Sequence, residues 1–326
     1  MTLKKLLVAL ACTALAVPAM AQTELKFGHV GKPGSLFEAS ANEFAKRANE
    51  KLAKMGNKYK VVVYGSSQLG GDKELLQKLK LGTLEFSLPS TVMSTEVDAF
   101  GLFEMPYLVK DRAHMKRIEE AIFWPKLEPL VEKKGLKVLA VWENGFRQIT
   151  NNKRPIVKPA DLEGIKLRTP KGKWRVKMFQ TYGANPSPMA FSEVFTALKT
   201  GVMDGQENPL VQIYSGKFQE VQKYLSLTDH VYTPAYVTVG LKHWMTLPAN
   251  VRKVLAATAR ETQAFVYKTA AEQDIALLAK LKEGGIQVNE ADKAAFIAAS
   301  KPIYAEFSKE VPGGKQMIDQ ALKLAR

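Results

Sequence analysis

Short apolar runs alternate with segments of helical spacing in the first third of the chain. Residues 25–29 and 60–64 have the apolar enrichment of strands, whereas residues 35–55 and 72–81 carry apolar side chains at intervals of three and four. A third apolar run covers residues 84–88. This β-α-β-α-β order favours a parallel sheet covered by helices on both faces.

Further along, residues 136–142 read as a strand that leads into a turn at residues 143–145, and residues 165–168 read as a strand stopped by Pro170. Residues 248–283 contain no internal glycine or proline. A continuous helix over them would be roughly 54 Å long, enough to lie along two domains. Two further helices are predicted near 290–309 and 314–325.

The first 21 residues have the order of a secretory signal peptide: Lys4 and Lys5, an apolar run of about 12 residues, and small residues up to Ala21. That run is too short to span a bilayer of roughly 30 Å. We predict cleavage after Ala21. Cys12 is the only cysteine and belongs to this leader, where the residues before it match a lipid-attachment motif poorly. The mature chain would therefore fold without disulfides.

Length and composition indicate an ordinary globular protein. The chain has 326 residues, of which 46% are hydrophobic and 24% charged. This length predicts about two domains. Because no Pro/Ser-rich linker separates them, we expect strands that cross from one domain to the other.

The net charge of +15 would fall to +13 once Lys4 and Lys5 are removed. Nucleic-acid-binding proteins concentrate such charge on one face or in runs. Here the longest basic runs are pairs such as Lys133-Lys134, and acids are interspersed. A solvated lysine surface is favoured, and no nucleic-acid partner is expected.

Recognisable catalytic motifs are missing from the sequence. There is no zinc-binding spacing, nucleophile elbow, phosphate loop or dinucleotide fingerprint. The histidines are interpreted as structural or surface residues: His29, His114, His230 and His243. We expect no enzyme activity, cofactor or metal. A secreted hydrolase whose Ser-His-acid site is assembled from distant residues is the alternative, and nothing in the sequence favours it.

Arginine is rare and clustered. Only ten of the 47 basic residues are Arg, and four of them lie between positions 147 and 175. A guanidinium grips a carboxylate with two parallel hydrogen bonds, which lysine cannot do. Arg147 and Arg168 are predicted at strand ends, where open α/β sheets bind ligands. Arg154 and Arg175 are interpreted as helix caps or surface ion pairs.

Three motifs follow one another in the middle of the chain: LEGIKLRTP (162–170), GANPSPMAFSEV (183–194) and TGVMDGQENP (200–209). In this order they resemble the solute-binding proteins of tripartite ATP-independent periplasmic (TRAP) transporters, the DctP family. Residues 66–70 and 217–225 are similar to the same family, so the resemblance covers nearly all of the mature chain.

The resemblance implies an α/β fold of two periplasmic-binding-protein-like lobes, each with a central mixed sheet, and a long helix spanning both. Residues 22–144 and about 234–273 are expected to form lobe I. Residues 145–233 and about 274–326 are expected to form lobe II. A hinge movement would close the lobes on an acidic ligand.

By the same resemblance, Arg168 is the arginine that forms a salt bridge with the ligand carboxylate, and Asn208 hydrogen-bonds that carboxylate. Arg147 is similar to a second arginine that some members use, and Phe191 to a ring that packs over the ligand. For Phe191, simple core packing is the alternative.

At positions where sialic-acid-binding members are polar or acidic, this chain has Val30 and Ser90. Trp174 and Met93 are predicted to supply an apolar wall, with surface exposure as the alternative for Trp174. These differences favour a less hydroxylated acid, such as a 2-oxo, dicarboxylic or aromatic carboxylate.

The expected function is capture of an organic acid in the periplasm, as a monomer, and its delivery to the membrane permease subunits of a TRAP transporter. A sensor or chemoreceptor adaptor that binds the same class of acid is the alternative, because both roles need the same binding site.

Overall fold

The computed structural model describes residues 22–56 and 58–325, so the predicted signal peptide lies outside the described residues. The strands in these ranges are β1 (Thr23–Gly28), β2 (Tyr59–Tyr64), β3 (Phe86–Ser87), β4 (Leu136–Asn151), β5 (Lys166–Thr169), β6 (Asn185–Pro188), β7 (Gly205–Pro209), β8 (Tyr224–Leu227), β9 (Tyr232–Gly240) and β10 (Gln287–Glu290).

The helices of the same ranges are α1 (Leu36–Ala53), α2 (Asp72–Leu81), α3 (Arg112–Ile118), α4 (Glu128–Glu132), α5 (Lys173–Thr181), α6 (Phe191–Lys199), α7 (Leu210–Ser215), α8 (Leu241–Trp244), α9 (Ala249–Glu283), α10 (Lys293–Ala299), α11 (Lys301–Glu310) and α12 (Gly314–Lys323). A π-helical segment, Glu119–Leu127, joins α3 to α4 around Pro125. Shorter 3₁₀ segments include Thr91–Thr95 and Asp98–Glu104.

The β-α-β unit predicted at the start of the chain is confirmed. β1 pairs in parallel with β2 and β3, with α1 and α2 as the connections. The Ser35 hydroxyl caps α1 by accepting from the amide of Glu38. The third strand is shorter than predicted, because only Phe86–Ser87 of residues 84–88 form ladder bonds.

All ten strands belong to one connected mixed sheet, in the order β2-β1-β3-β9-β4-β7-β5-β6, with β8 and β10 attached through β4. The predicted α/β class is thereby confirmed. Parallel pairs lie towards both ends of this order, and antiparallel pairs flank β4 at its centre.

β4 continues through the residues that were predicted to form a turn. The strand was expected to end at Trp142, but it runs on to Asn151, and Arg147 lies within it. The turn prediction was wrong because Gly145, with a φ of 124°, is accommodated as an irregularity of the ladder between Glu143 and Gly145. The first half of β4 pairs with β9, and the second half pairs with β7 and β8.

The long helix is confirmed as α9, with 35 residues. It packs against α1, β4 and α7. Because α1 precedes β4 in the chain and α7 follows it, the helix contacts elements from both halves of the chain. The indole of Trp142 donates to the Ala259 carbonyl at 2.9 Å and links β4 to the middle of α9.

In the C-terminal region, residues 290–309 form two helices instead of one. α10 ends at Ala299 and α11 begins at Lys301, with Pro302 in the first turn of α11. Proline is favoured there because its missing amide donor would have no partner inside the helix. The predicted last helix is confirmed as α12. The division into lobes at residues 144, 233 and 273 stays a prediction.

Aromatic rings form the centre of the core beneath β1, β3 and β4. Phe27 lies 5.7 Å from Phe44, 5.8 Å from Phe86 and 6.3 Å from Trp142 between ring centroids. A second, smaller apolar cluster includes Ile149, Leu167 and Phe179, next to β5 and α5. These two cores hold the central strands from which the site residues project.

A substitution at Gly240 would test the packing of β9 against α2. A Cβ at this position would lie 1.8 Å from the Leu79 carbonyl oxygen, which is backbone and cannot rotate away. Gly240→Ala should lower the free energy of unfolding by about 1–3 kcal/mol, as overpacking typically does. Urea denaturation measures the change.

The matched control is Gly284→Ala, because Gly284 has a φ of −71° and a Cβ there would meet neighbours only at 3.4 Å or more. Equal stability of the Gly240→Ala protein and the wild type would contradict the close packing at Leu79.

Candidate functional site

A cavity lies where the β1-to-β3 region meets β4, β5 and β7. Its walls combine charged, amide and apolar side chains: Val30, Phe37, Asp72, Ser90, Thr91, Val92, Asn144, Arg147, Arg168, Pro170, Phe191, Asn208 and Gln212. A second cavity adjoins it and shares Asp72, Val92, Arg168, Pro170 and Phe191.

Five of the six predicted ligand-binding residues line the first cavity: Arg147, Arg168, Asn208, Phe191 and Ser90. They come from distant parts of the chain, on or beside β3, β4, β5, α6 and β7. The structure therefore brings together residues that the sequence separates by more than a hundred positions.

Arg168 lies on β5 and is 3% exposed. Its Nε and Nη2 both donate to the Met189 carbonyl, at 3.0 and 2.6 Å. No carboxylate of the described residues lies within ion-pair distance of this guanidinium. Burial lowers the pKa of Arg168 to about 9, which still leaves it charged at neutral pH. The cavity wall thus presents a cation that has carbonyl contacts but no counter-ion in direct contact.

Arg147 is already paired. Its Nη2 lies 3.0 Å from Glu207 Oε1 and 2.6 Å from the Glu207 carbonyl, and its Nε bonds the other carboxylate oxygen. β4 and β7 pair antiparallel with Arg147 opposite Pro209, so this contact follows from strand register. Arg147 also donates to Asn208 Oδ1 at 3.1 Å and so orients that amide.

Arg175 was predicted to cap a helix or to form a surface ion pair, and this was wrong. It is fully buried on α5, with Nη1 2.7 Å from Glu207 Oε2 and Nη2 2.7 Å from Glu104 Oε2. The reason is that Glu104 and Glu207 supply buried carboxylates on the side of α5 that faces the core. Arg154 remains a structural residue that donates to backbone carbonyls at the surface.

Glu207 is the centre of this cluster. Despite complete burial, Arg147 and Arg175 hold the pKa of its carboxyl well below the usual range. His230 Nε2 lies 3.1 Å from Glu207 Oε2, and burial lowers the pKa of this histidine. An ionised carboxylate only accepts hydrogen bonds, so neutral His230 carries its proton on Nε2.

Glu104 differs from Glu207 because it has only one arginine in direct contact. Burial raises the pKa of Glu104 to about 7, although Arg175 and Arg147 oppose the shift. Asp72, the first residue of α2, also has its pKa raised by burial, to about 6, with Arg168 and Lys171 opposing. Both carboxyls therefore change charge near neutral pH.

The remaining predicted residues have different surroundings. Phe191 begins α6, lines both cavities and packs edge-to-face on Phe218 at 5.7 Å. Ser90 precedes the 3₁₀ segment and donates to the Pro234 carbonyl at 2.7 Å. Val30 lies on the cavity wall beside them.

Trp174 is not brought to the site. Its ring is fully buried, 5.0 Å from the ring of Phe307, and its Nε1 donates to Asp98 at 2.8 Å. Met93 is likewise buried and is absent from the walls of both cavities. Since α5 turns Trp174 towards α11, the apolar part of the cavity wall comes from Phe37, Val92 and other residues instead.

Several residues of the site were missed in the sequence. Glu207 stands inside the GQENP motif, and its position beside the predicted Asn208 was its only signal. Asn144 was assigned to a turn. Asp72 and Gln212 carry no local pattern that distinguishes them from helix-surface residues.

The arrangement is suited to holding an anion. In the described part of the chain, no group of three or more His, Cys, Asp or Glu side chains is placed to hold a metal ion. Across residues 22–56 and 58–325, no helix is long and apolar enough to cross a membrane.

Known proteins match along almost the whole chain. The family model described as bacterial extracellular solute-binding protein, family 7 (DctP), matches residues 27–310. The 2,3-diketo-L-gulonate-binding periplasmic protein YiaO of Escherichia coli K12 is 32% identical over 308 residues, covering 94% of this chain and 93% of its own.

Two solved structures are similar in fold and sequence. A TRAP periplasmic solute-binding protein from Polaromonas sp. JS666, bound to D-erythronate, is 35% identical with a TM-score of 0.87, covering 92% of this chain and 98% of that one. Another from Sulfurospirillum deleyianum, with bound succinate, is 33% identical with a TM-score of 0.88, covering 94% and 100%. These similarities confirm the two-lobed fold class.

Replacement of the Glu207 carboxylate should destabilise the protein. Glu207→Gln leaves Arg147 and Arg175 buried with too little negative charge and should lower the free energy of unfolding by about 3–5 kcal/mol. Glu104→Gln should cost less at pH 7, because a carboxyl with a pKa of about 7 is already half neutral there. Urea denaturation of both variants at pH 7 measures the difference, and equal losses would contradict the central role of Glu207.

Proposed function

This chain belongs to family 7 of the bacterial extracellular solute-binding proteins (DctP), and we propose that it captures an organic acid in the periplasm and delivers it to the permease subunits of a TRAP transporter. Members of this family bind solutes. The relatives described above bind 2,3-diketo-L-gulonate, D-erythronate and succinate, which share a carboxylate. The carboxylate is therefore the group for which this chain's site should provide a partner.

The observation that carries this proposal is Arg168, a buried guanidinium on the cavity wall with no carboxylate in ion-pair contact. Burying a charge is costly unless a counter-ion offsets the lost hydration. A ligand carboxylate would supply that counter-ion, and the planar fork of Arg168 can bind it with two hydrogen bonds.

Asn208 and Arg147 are proposed to complete the carboxylate site. Asn208 Nδ2 bonds Gln206 Oε1 at 2.5 Å, and its Oδ1 accepts from Arg147. One Asn208 amide hydrogen remains for the ligand. Arg147, neutralised by Glu207, acts mainly by orienting Asn208, and Phe191 packs over the ligand body.

We further propose that ligand binding closes two lobes, residues 22–144 with about 234–273 and residues 145–233 with about 274–326. Ser90 and Asp72 belong to the first, whereas Arg168 and Asn208 belong to the second. A ligand held between them would favour the closed form, because only that form makes both sets of contacts.

Substitution of Arg168 tests the proposed carboxylate binding directly. Arg168→Ala should weaken binding of the acid by about 2–5 kcal/mol, and Arg168→Lys should also impair it because lysine keeps the charge but loses the two-point grip. Calorimetry with an acid identified by a thermal-shift screen measures both. Arg154→Ala is the control, since Arg154 contacts only backbone carbonyls at the surface. Unchanged affinity in Arg168→Ala would refute the assignment.

Asp72 predicts a dependence on pH. Its carboxyl, with a pKa of about 6, loses its negative charge as the pH falls from 7.5 to 5.5, whereas an organic acid with a pKa near 4 stays ionised. Repulsion of the ligand therefore decreases, and binding should become tighter at pH 5.5. Titration calorimetry at the two pH values measures this.

Asp72→Asn should bind more tightly than the wild type at pH 7.5 and should lose most of the pH dependence. Any slope that remains in this variant belongs to other groups such as Glu104. The prediction fails if Asp72→Asn and the wild type show the same slope.

A further inference from the structure

One chain of hydrogen bonds leads from the backbone of β9 into the cavity. Ser90 Oγ donates to the Pro234 carbonyl at 2.7 Å, Asn144 Nδ2 donates to Ser90 Oγ at 3.3 Å, and Gln212 Nε2 donates to Asn144 Oδ1 at 3.3 Å. Ser90, Asn144 and Gln212 all line the cavity. We call these three side chains the polar relay.

The direction of every bond in the relay follows from its first member. A carbonyl only accepts, so Ser90 must give its single hydroxyl hydrogen to Pro234 and can only accept from Asn144. Asn144 therefore turns its NH₂ group to Ser90 and its Oδ1 to Gln212. Gln212 must in turn offer its NH₂ group, which leaves its Oε1 at the far end.

That last oxygen has no hydrogen-bond partner among the residues that the structure describes. Gln212 is 3% exposed, and its buried Oε1 makes no hydrogen bond. Thr91, 6% exposed and on the same cavity wall, has a buried hydroxyl without a partner. A buried polar atom without a hydrogen bond costs about 1–3 kcal/mol. Two such atoms, both on residues that line one cavity, indicate hydrogen-bonding groups of a ligand.

The unpartnered Oε1 of Gln212 determines which kind of ligand group can bind there. It can only accept, so it suits a hydroxyl and repels a carboxylate or a keto oxygen. Thr91 can donate or accept, and it therefore also suits a hydroxyl.

The charges of the cavity also favour a hydroxyl over a second carboxylate. Of its two cations, Arg147 is neutralised by Glu207, and Arg168 is the one left for a ligand carboxylate. Asp72 adds a negative charge to the same wall. The adjoining cavity contributes Lys73 and Lys171, but also the acids Glu74 and Glu193. On the wall of the first cavity, therefore, no second cation without a carboxylate contact is available to a second ligand carboxylate.

We infer that the ligand is a hydroxylated monocarboxylate, with its carboxylate on Arg168 and its hydroxyls on Gln212 Oε1 and Thr91 Oγ1. This inference rests on the proposed function and departs from the expectation of a less hydroxylated acid. The sequence favoured that acid because Trp174 and Met93 were assigned to the cavity, and neither side chain lies there.

Acids of matched length provide the first measurement. D-Erythronate is compared with succinate at four carbons, and D-gluconate with adipate at six, by thermal shift and calorimetry. In at least one pair the hydroxylated monocarboxylate should bind about tenfold more tightly than the dicarboxylate. A dicarboxylate that binds as tightly as its hydroxylated partner in both pairs would overturn the inference.

Two variants provide the second measurement. Thr91→Val and Gln212→Met keep the approximate side-chain shape. Thr91→Val removes only the unpartnered hydroxyl, whereas Gln212→Met removes the unpartnered Oε1 together with the amide donor to Asn144. Each should weaken binding of the hydroxylated acid about tenfold, the effect of losing one buried hydrogen bond. Thr91→Val should leave the melting temperature of the ligand-free protein unchanged or raised, because it removes an unsatisfied buried hydroxyl. A merely structural role would lower it.

The matched control is Thr95→Val on the same 3₁₀ segment, because Thr95 bonds the Val92 carbonyl and lines neither cavity. Its affinity should stay within twofold of the wild type. Affinities within twofold in both Thr91→Val and Gln212→Met would overturn the inference.

Arg168→Ala separates the two hypotheses. If this variant loses binding while the dicarboxylates match the hydroxylated acids, the proposed function stands and the inference about hydroxyls falls. If this variant instead keeps the wild-type affinity for the hydroxylated acid, the proposed function fails, and the inference, which places the carboxylate on Arg168, fails with it.

Discussion

Burial of three neighbouring guanidinium groups, two of them on the cavity wall, is the constraint on which the site depends. Arg147, Arg168 and Arg175 all lie in the interior, where each would repel the others unless carboxylates intervene. Glu207 contacts two of them, which fully ionises that carboxyl. Arg168, by contrast, contacts no carboxylate of the described residues and donates its hydrogen bonds to the Met189 carbonyl. The asymmetry follows from strand order, because β7 carries Glu207 next to β4 and leaves the end of β5 facing the cavity.

The continuity of β4 gives this cluster its geometry. A turn at Gly145 would have directed Arg147 away from β7. Because the glycine is instead accommodated within the strand, Arg147 stays in register with β7 and reaches both Glu207 and Asn208. Asn144 lies within the irregularity itself, between Glu143 and Gly145, and its side chain reaches Ser90. One strand therefore supports both the charged and the neutral parts of the cavity.

Local patterns predicted local structure well, and the family motifs predicted residues that line the cavity. The absence of internal glycine and proline in residues 248–283 was enough for α9, and the resemblance was enough to place Arg168 on a cavity wall. The sequence did not predict which side chains would pair in the interior. Arg175 gave no signal of burial, because its partners Glu104 and Glu207 are distant in sequence and only packing brings them together. Trp174 was misjudged for the same reason, since nothing near it in sequence indicates its contact with Phe307.

Charge acts on two length scales in this protein, and only one of them can select a ligand. The net charge of +15 comes largely from dispersed lysines, whose field attracts every anion and is screened beyond about 8–10 Å at physiological salt. Inside the cavity, hydrogen-bond direction and pairing decide which atoms are accepted. Arg168 presents a guanidinium without a carboxylate contact at one end, and the relay that ends at Gln212 presents an unpartnered acceptor at another. Selectivity therefore depends on a few buried polar atoms whose orientation is imposed by the backbone carbonyl of Pro234.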